Sequence, residues 1–303
     1  MKCEDVPTFV LLRLSQAATW WMDGTFKSNP SIFAQLYTIH IKVSDEFVPH
    51  MWCLLPDKQA ATYVRLLRLL KQEAAARNLH LQPNAIHIDF EQAVVQSVTT
   101  ELGIHPTGCL FHYCQSILRH VQHLGLQVAY NTNNPPEVRT WIRRLISLPL
   151  VPPIRLDQAY RTTVAQSPII PGRDEMNTYV FNTFVDPNGA LFDRGVWNCY
   201  GAKDRTTNAC EGYHSVINKH FRQAHPDPYK FISFLQQQEA ELERRVQQLL
   251  HGAPPRKRKT AYVLVDESLD RLRETYFGVG MPGVARLLQY MDAVAYQMYD
   301  VKH

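Results

Sequence analysis

The hydrophobic pattern changes period several times along the first 124 residues. Thr19-Trp20-Trp21-Met22-Asp23-Gly24-Thr25-Phe26 is an aromatic, β-favouring run that drives into an acid, a glycine and a threonine. Gln35-Leu36-Tyr37-Thr38-Ile39-His40-Ile41 has strand composition, Ser44-Asp45-Glu46 signals a turn, and His50-Met51-Trp52-Cys53-Leu54-Leu55 is a third apolar run. Runs this closely spaced predict an antiparallel meander. Pro56 and Asp57 break the pattern, and over residues 62–77 Tyr63, Leu66, Leu67 and Leu70 recur at helical spacing. Residues 83–89 predict a short strand that again ends on an aspartate, Asp89. A helix from Phe90 to about Leu102 follows, stopped by Gly103. Thr107-Gly108-Cys109-Leu110-Phe111 predicts a fifth strand, and residues 112–124 a helix.

The order strands, helix, strand, helix, strand, helix calls for a sheet that is antiparallel at its start and parallel afterwards. The expectation is an α/β domain with one mixed five-stranded sheet and helices on both faces. In such a sheet the first and fourth strands can lie side by side, which brings Asp23 and Asp89 to one end. Residues 125–203 are broken by prolines and predict a mainly helical insertion, with one amphipathic helix near 137–148. A capped helix entry at Asp204-Arg205-Thr206-Thr207-Asn208 leads into a helix carrying Glu211 and His214. The division expected is therefore a lead-in over 1–18, a first core part over 19–124, the insertion over 125–203, a helix completing the core over 204–222, and a helical region over 223–303. That last region predicts helices near 228–250, 269–276 and 284–298, with the basic linker Arg256-Lys257-Arg258-Lys259 between the first two.

Composition adds limits. The 303 residues are 45% hydrophobic and 20% charged with a net charge of +4, so the chain as a whole is no polycation. Its six cysteines are scattered without a disulfide framework, which suggests a reducing compartment. No secretory leader and no membrane-spanning run are expected. The basic linker reads as a solvated segment by default and as a nuclear-import or phosphate-contacting run at its sharpest.

Chemistry concentrates in three acids. Asp23-Gly24 alone is a common turn pair. Asp89 at a second strand end and Glu211 on a late helix make a different pattern, one that suits two divalent ions bridging a phosphodiester. Hard oxygen donors select magnesium or manganese over zinc. Glu91, two residues past Asp89, reads as a partner of the helix dipole. Cys109, His112 and Cys114 lack a nearby fourth ligand for structural zinc and read as buried thiols and a neighbouring imidazole. Asn208 reads as a helix cap. His214, one turn beyond Glu211, faces the same way and reads equally as a phosphate contact or a satisfied core histidine.

Asp23-Gly24-Thr25-Phe26-Lys27, Gln35-Leu36-Tyr37-Thr38-Ile39-His40, Asp89-Phe90-Glu91, Gly108-Cys109-Leu110-Phe111-His112 and Asn208-Ala209-Cys210-Glu211-Gly212-Tyr213-His214 together resemble the catalytic domain of Mutator-like (MULE) transposases, over about residues 15–220. The resemblance implies an RNase H-like fold interrupted by a helical insertion. It implies a DDE triad of Asp23, Asp89 and Glu211 that cuts and rejoins DNA with two Mg2+ or Mn2+ ions. It also implies a Cys-x-x-His element at Cys109 and His112 that organises the site. DNA is the expected partner, with a homo-oligomer and nuclear location. The family's usual N-terminal DNA-binding module and its zinc knuckle are not found in this sequence. An active transposase, a domesticated non-catalytic DNA- or protein-binding derivative, and a nuclease without transposition are therefore distinct expectations.

Overall fold

The computed structural model describes residues 6–206, 208–257, 259–281 and 283–299, the side chains of Asn208 and Tyr299 excepted. The chain divides into two compact units, one of residues 1–109 with 206–256 and the other of residues 110–205 with 257–303.

The first unit is built on a five-stranded sheet. Its strands are β1 (Thr19–Thr25), β2 (Gln35–Val43), β3 (Glu46–Leu55), β4 (Ala85–Ile88) and β5 (Thr107–Gly108), in the spatial order β3-β2-β1-β4-β5. β1 and β2 pair antiparallel, as do β2 and β3, whereas β4 runs parallel to both β1 and β5. This is the mixed sheet that the pattern predicts. The β2–β3 hairpin turns on Ser44 and Asp45, both with positive φ, the geometry of a two-residue turn that matches strand twist. Glu46, read as part of the turn, is already in β3.

Side-chain alternation splits the sheet into two faces. Trp20, Met22, Tyr37, Ile39, Ile41, Ile86 and Ile88 point to one side. There they pack with Val10, Leu11 and Leu14 of α1 (Thr8–Gln16), Leu66, Leu67 and Leu70 of α2 (Ala60–Ala75), and Val94 and Val98 of α3 (Gln92–Leu102). Gly103, in the left-handed region, ends α3 as predicted. The opposite side is covered by α10 (Asn208–Phe221) and α11 (Pro228–Leu250), through Leu36 against Ile217, Phe231 and Phe234, and Val48 against Val246 and Leu249. Asp227 caps α11 by accepting from the Lys230 backbone N–H at 3.0 Å, with Pro228 in the first turn. Trp52 Nε1 donates to the Tyr213 hydroxyl (2.9 Å), and Arg245 is paired with Glu46. Helices therefore cover both faces, and the architecture is RNase H-like.

Two local expectations change. β1 continues through Asp23-Gly24 to Thr25, so the pair is not a turn. Gly24 lies opposite Tyr37, and a Cβ there would meet the Gln35 and Tyr37 side chains, at 2.5 Å from Gln35 Oε1 and 3.3 Å from the Tyr37 ring. β5 is only two residues long, and Cys109-Leu110-Phe111 is not strand. Leu110, Tyr113, Cys114, Ile117 and Val121 form one buried stripe at helical period, and α4 (Leu110–His123) starts accordingly. A short apolar run does not reveal its own period.

The second unit is helical among its described residues. It contains α4, α5 (Gln127–Thr132), α6 (Glu137–Ser147), α7 (Leu156–Ala165), α8 (Arg173–Val180), α9 (Arg194–Trp197), α12 (Thr260–Phe277) and α13 (Val284–Tyr299). The tail helix α13 packs on α6 and α7, where Arg144 holds Asp292 at 2.6 and 2.7 Å and the Tyr290 hydroxyl donates to the Leu150 carbonyl. The aromatic pieces of the insertion find burial here. Tyr113 stacks on Trp197 at 5.5 Å, and Trp197 Nε1 donates to the Phe184 carbonyl. No helix among the described residues is long and apolar enough to cross a membrane.

Candidate active site

Strand register places the first two acids. Trp21 lies level with His87 across the parallel β1–β4 pair. Asp23 lies two residues further along β1, on the face that α10 covers, with His214 at 3.6 Å; Asp89 lies two residues beyond His87, just past the end of β4, near enough for its charge to act on Asp23. Asp23 is the fifth of the seven residues of β1 and only 3% exposed. Asp89 follows the last residue of β4 and is half-buried, with its Oδ1 enclosed and without a hydrogen-bond partner among the described residues. Glu211 comes from the first turn of α10, also half-buried.

These acids feel one another. Burial pushes the Asp23 carboxyl well above the ordinary carboxylate range. The negative charges of Asp89 and then Glu211 push it further, against the pull of the Gly24 N–H that Asp23 Oδ1 accepts at 2.8 Å. Burial and the neighbouring Glu91 raise Asp89 to about 7, with Lys58 acting in the opposite direction. Burial likewise raises Glu91, against the opposing effects of the Tyr63 hydroxyl, which it accepts at 3.0 Å, and of Lys58. Glu91 stands at the entry to α3 without a side-chain capping bond, its carboxylate directed to Tyr63.

A buried polar chain supports Asp23 from β2 and α10. The Thr38 hydroxyl donates to the Asp23 carbonyl (3.2 Å), and its lone pairs face Nε2 of His214 at 3.1 Å and Nε2 of His40 at 3.2 Å. With the hydroxyl committed as donor, both Nε2 atoms carry protons. His214 Nδ1 then faces Asp23 Oδ2 at 3.6 Å, an attractive contact when one of the two carries a further proton. His40 is held neutral by burial, with His214 and His50 adding to the effect. Thr38 and His40 stood in a strand pattern and in one of the family-like blocks, with no role of their own. Their signal in the sequence is polar residues at alternate positions of an apolar strand, Thr38 and His40 between Tyr37, Ile39 and Ile41.

The remaining candidates separate. Cys109 is buried, its N–H donating to the Ile88 carbonyl at 2.8 Å. With Asp23 and Glu211 it raises the buried Cys210 thiol, for which burial is the main cause. His112 belongs to the second unit, where it meets the Phe111 ring edge-on at 5.5 Å. The cap expected at Thr207 and the side chain of Asn208 lies outside the described residues, as does Arg258 of the basic linker. Arg256 is drawn to Glu46, its backbone N–H donating at 2.8 Å. An apolar cavity of about 680 Å3 beside β3, α1 and α11 is lined by Val10, His50, Trp52 and Leu235 but by none of the three acids.

Among the described residues, no group of three or more His, Cys, Asp or Glu side chains is disposed to hold a metal ion. The donor set nevertheless has the chemistry of a hard-cation site. It consists of carboxylates only, the charges of Asp89 and Glu211 add to burial in raising Asp23, and Asp89 Oδ1 is buried without a hydrogen-bond partner among the described residues.

Asp23 on β1, Asp89 just past the end of its parallel neighbour β4, and Glu211 on α10 thus form a carboxylate-only cluster on an RNase H-like sheet. Residues 19–116 match the model of the MULE transposase domain. The match runs from β1 into α4, takes in Asp23 and Asp89, and supports a MULE transposase with a transposase-type function; Glu211 lies beyond it. No curated protein matches the chain.

Proposed function

We propose that the chain is a DDE-type transposase catalytic domain that cleaves and joins DNA strands, with Asp23, Asp89 and Glu211 as its metal-holding acids. The observation that supports this reading is the convergence of Asp23 on β1, Asp89 just past the end of its parallel neighbour β4, and Glu211 on α10, close enough for the charges of both to act on Asp23. Two Mg2+ or Mn2+ ions, when bound, supply activation of the attacking water or 3′-hydroxyl and stabilisation of the leaving oxygen.

The chain's own residues contribute the rest. Thr38 fixes the Asp23 backbone, and His214 sits against its carboxylate, so Asp23 is held on the α10 face. Burial beneath α10 keeps bulk water from Asp23 and strengthens every charge interaction at the site. Cys109 and Cys210 contribute buried apolar bulk beside the acids, and burial raises the Cys210 thiol. The reading places the work in the nucleus and on two DNA ends, hence with more than one copy of the chain.

The test is a nicking and strand-transfer assay of the purified chain with Mg2+ or Mn2+. Wild type is expected to cut and join, and Asp23→Ala, Asp89→Ala and Glu211→Ala each to lose about a hundredfold or more. A preparation that cuts equally well with Asp23→Ala and Glu211→Ala removes the triad. A chain that binds DNA and never cuts it is the non-catalytic derivative. Light scattering with and without DNA checks the assembly, and imaging of the tagged chain in cells checks its location.

A further inference from the structure

We propose that Lys58 and Phe26 form a phosphate-binding arm of the carboxylate site. In this arm Lys58 contacts the DNA phosphodiester beside the reacting one, and the Phe26 ring holds its ammonium in place. The inference rests on the DNA phosphoryl-transfer reading and adds two residues that reading does not use.

Lys58 lies in the short segment between β3 and α2, and Phe26 is the first residue beyond β1, so both stand at the end of the sheet where Asp23 and Asp89 lie. The segment is fixed locally. Asp57 Oδ1 accepts from the Gln59 N–H at 2.9 Å and from the Thr62 hydroxyl at 2.6 Å, an arrangement that sets the entry to α2. Phe26 is 40% exposed, an unusual position for a phenylalanine next to buried acids. Its ring folds back towards β1, 3.5 Å from the point where a Cβ on Gly24 would sit. Lys58 Nζ rests 3.0 Å from the centre of that ring.

A lysine head on its four-carbon stem normally samples many positions, and ordering it costs entropy. The aromatic face removes that freedom by attracting the cation without neutralising it. The Phe26 ring lies against Gly24, the residue after Asp23, so the head it carries stands at the acid end of the sheet. No salt bridge within 4 Å is found for Lys58 among the described residues, so its charge is placed beside the acids and not consumed by them. A cation held next to a cluster of carboxylates, on a ring, is positioned for an anion that arrives with the substrate. For this site that anion is the DNA backbone. Contact with a phosphate positions the strand and carries no base specificity.

The competing account gives Lys58 a single task, offsetting the repulsion among the acids. The experiment separates the two with the full chain and the variants Lys58→Met, Lys58→Arg and Phe26→Leu. Binding of a fluorescent DNA duplex is followed by anisotropy across a NaCl series, Mn2+ binding by calorimetry, and cleavage by the nicking assay. The arm predicts that Lys58→Met weakens DNA binding about fivefold and lowers the salt slope by about one. It predicts that Lys58→Arg keeps the slope, that Phe26→Leu falls between, and that Mn2+ binding by Lys58→Met is no weaker than wild type. Unchanged DNA affinity and slope in Lys58→Met, with wild type cutting and Glu211→Gln inactive, overturns the arm and leaves the functional reading standing. A wild-type chain that neither binds nor cuts DNA overturns that reading and the arm together.

Discussion

The two faces of the sheet in the first unit are made by the same strands and obey opposite rules. On the α1–α3 side Trp20, Met22, Ile39, Ile86 and Ile88 bury apolar surface against apolar surface. On the α10 side, one residue along in each strand, stand Trp21, Asp23, Thr38, His40 and His87, nearly all as deeply buried. The first face gains stability from every residue it encloses, at roughly 25 cal/mol per Å2 of apolar surface. The second encloses carboxylates and imidazoles whose burial works against their charge, and hydrogen bonds from the Gly24 N–H and at the Thr38 hydroxyl hold them there. The difference teaches where stability and chemistry are separated in this fold: by a single step of strand alternation.

That contrast can be broken or sharpened by measurement. The largest effect belongs to the apolar face. Trp20 is fully buried and its Nε1 donates to the Leu14 carbonyl, tying α1 to the sheet. Trp20→Ala is expected to cost about 3–5 kcal/mol in urea unfolding. A loss below 1 kcal/mol would mean that this face does not carry the stability.

His50 is a polar exception on the α1 side, with Nε2 at 3.0 Å from the Val10 carbonyl. Burial is the main cause that lowers its pKa to about 4, and Arg13 adds to it. The folded value lies below the unfolded one, so the unfolded chain takes up a proton that the folded chain refuses. Stability should thus be intact above about pH 6.5 and fall through the window down to about pH 4, by up to about 3 kcal/mol. Chemical unfolding at a series of pH values checks this, with His50→Gln expected to flatten the window.

On the polar face, Thr38→Val removes the hydroxyl shared by Asp23, His40 and His214. It should cost about 1–3 kcal/mol because buried imidazole N–H groups lose their acceptor. The same substitution at an apolar-face position such as Ile39→Val is a mild control. Equal small losses at both positions would deny the polar chain a supporting role.

The smallest effect has the opposite sign. Asp23→Asn keeps an acceptor for the Gly24 N–H and removes a carboxylate that burial and its neighbours disfavour. The metal-free chain should gain about 1 kcal/mol, as destabilised functional positions commonly do, and lose DNA cleavage. Thermal melts in EDTA set beside the nicking assay read both. A destabilised Asp23→Asn chain would show that the carboxylate serves the fold.

Much of this was legible in the residues. The β-favouring composition of β2 and the helical spacing at Tyr63, Leu66, Leu67 and Leu70 depend on each segment's own residues, so they survive without knowledge of partners. The acids at 23 and 89 stood out because each follows a β-favouring run. Cys109-Leu110-Phe111 misled because three apolar residues carry no period; only the continuation to Cys114, Ile117 and Val121 shows the helix. Lys58 had no local signal at all. Its meaning comes from the Phe26 ring beneath it and from acids brought near by the β1–β4 pairing.

By itself the sequence determined the elements, the mixed order of strands, and the parity that sends Trp20 and Met22 one way and Trp21 and Asp23 the other. These follow from short-range sterics and from the two-residue and 3.6-residue repeats of the backbone. The tertiary structure decided which polar groups meet. Thr38 and His214 are 176 residues apart in the chain, and their 3.1 Å contact exists only because α10 returns to cover the face that β1 and β2 left polar. Local preference sets which side of a strand a residue occupies, whereas long-range packing sets what lies opposite it.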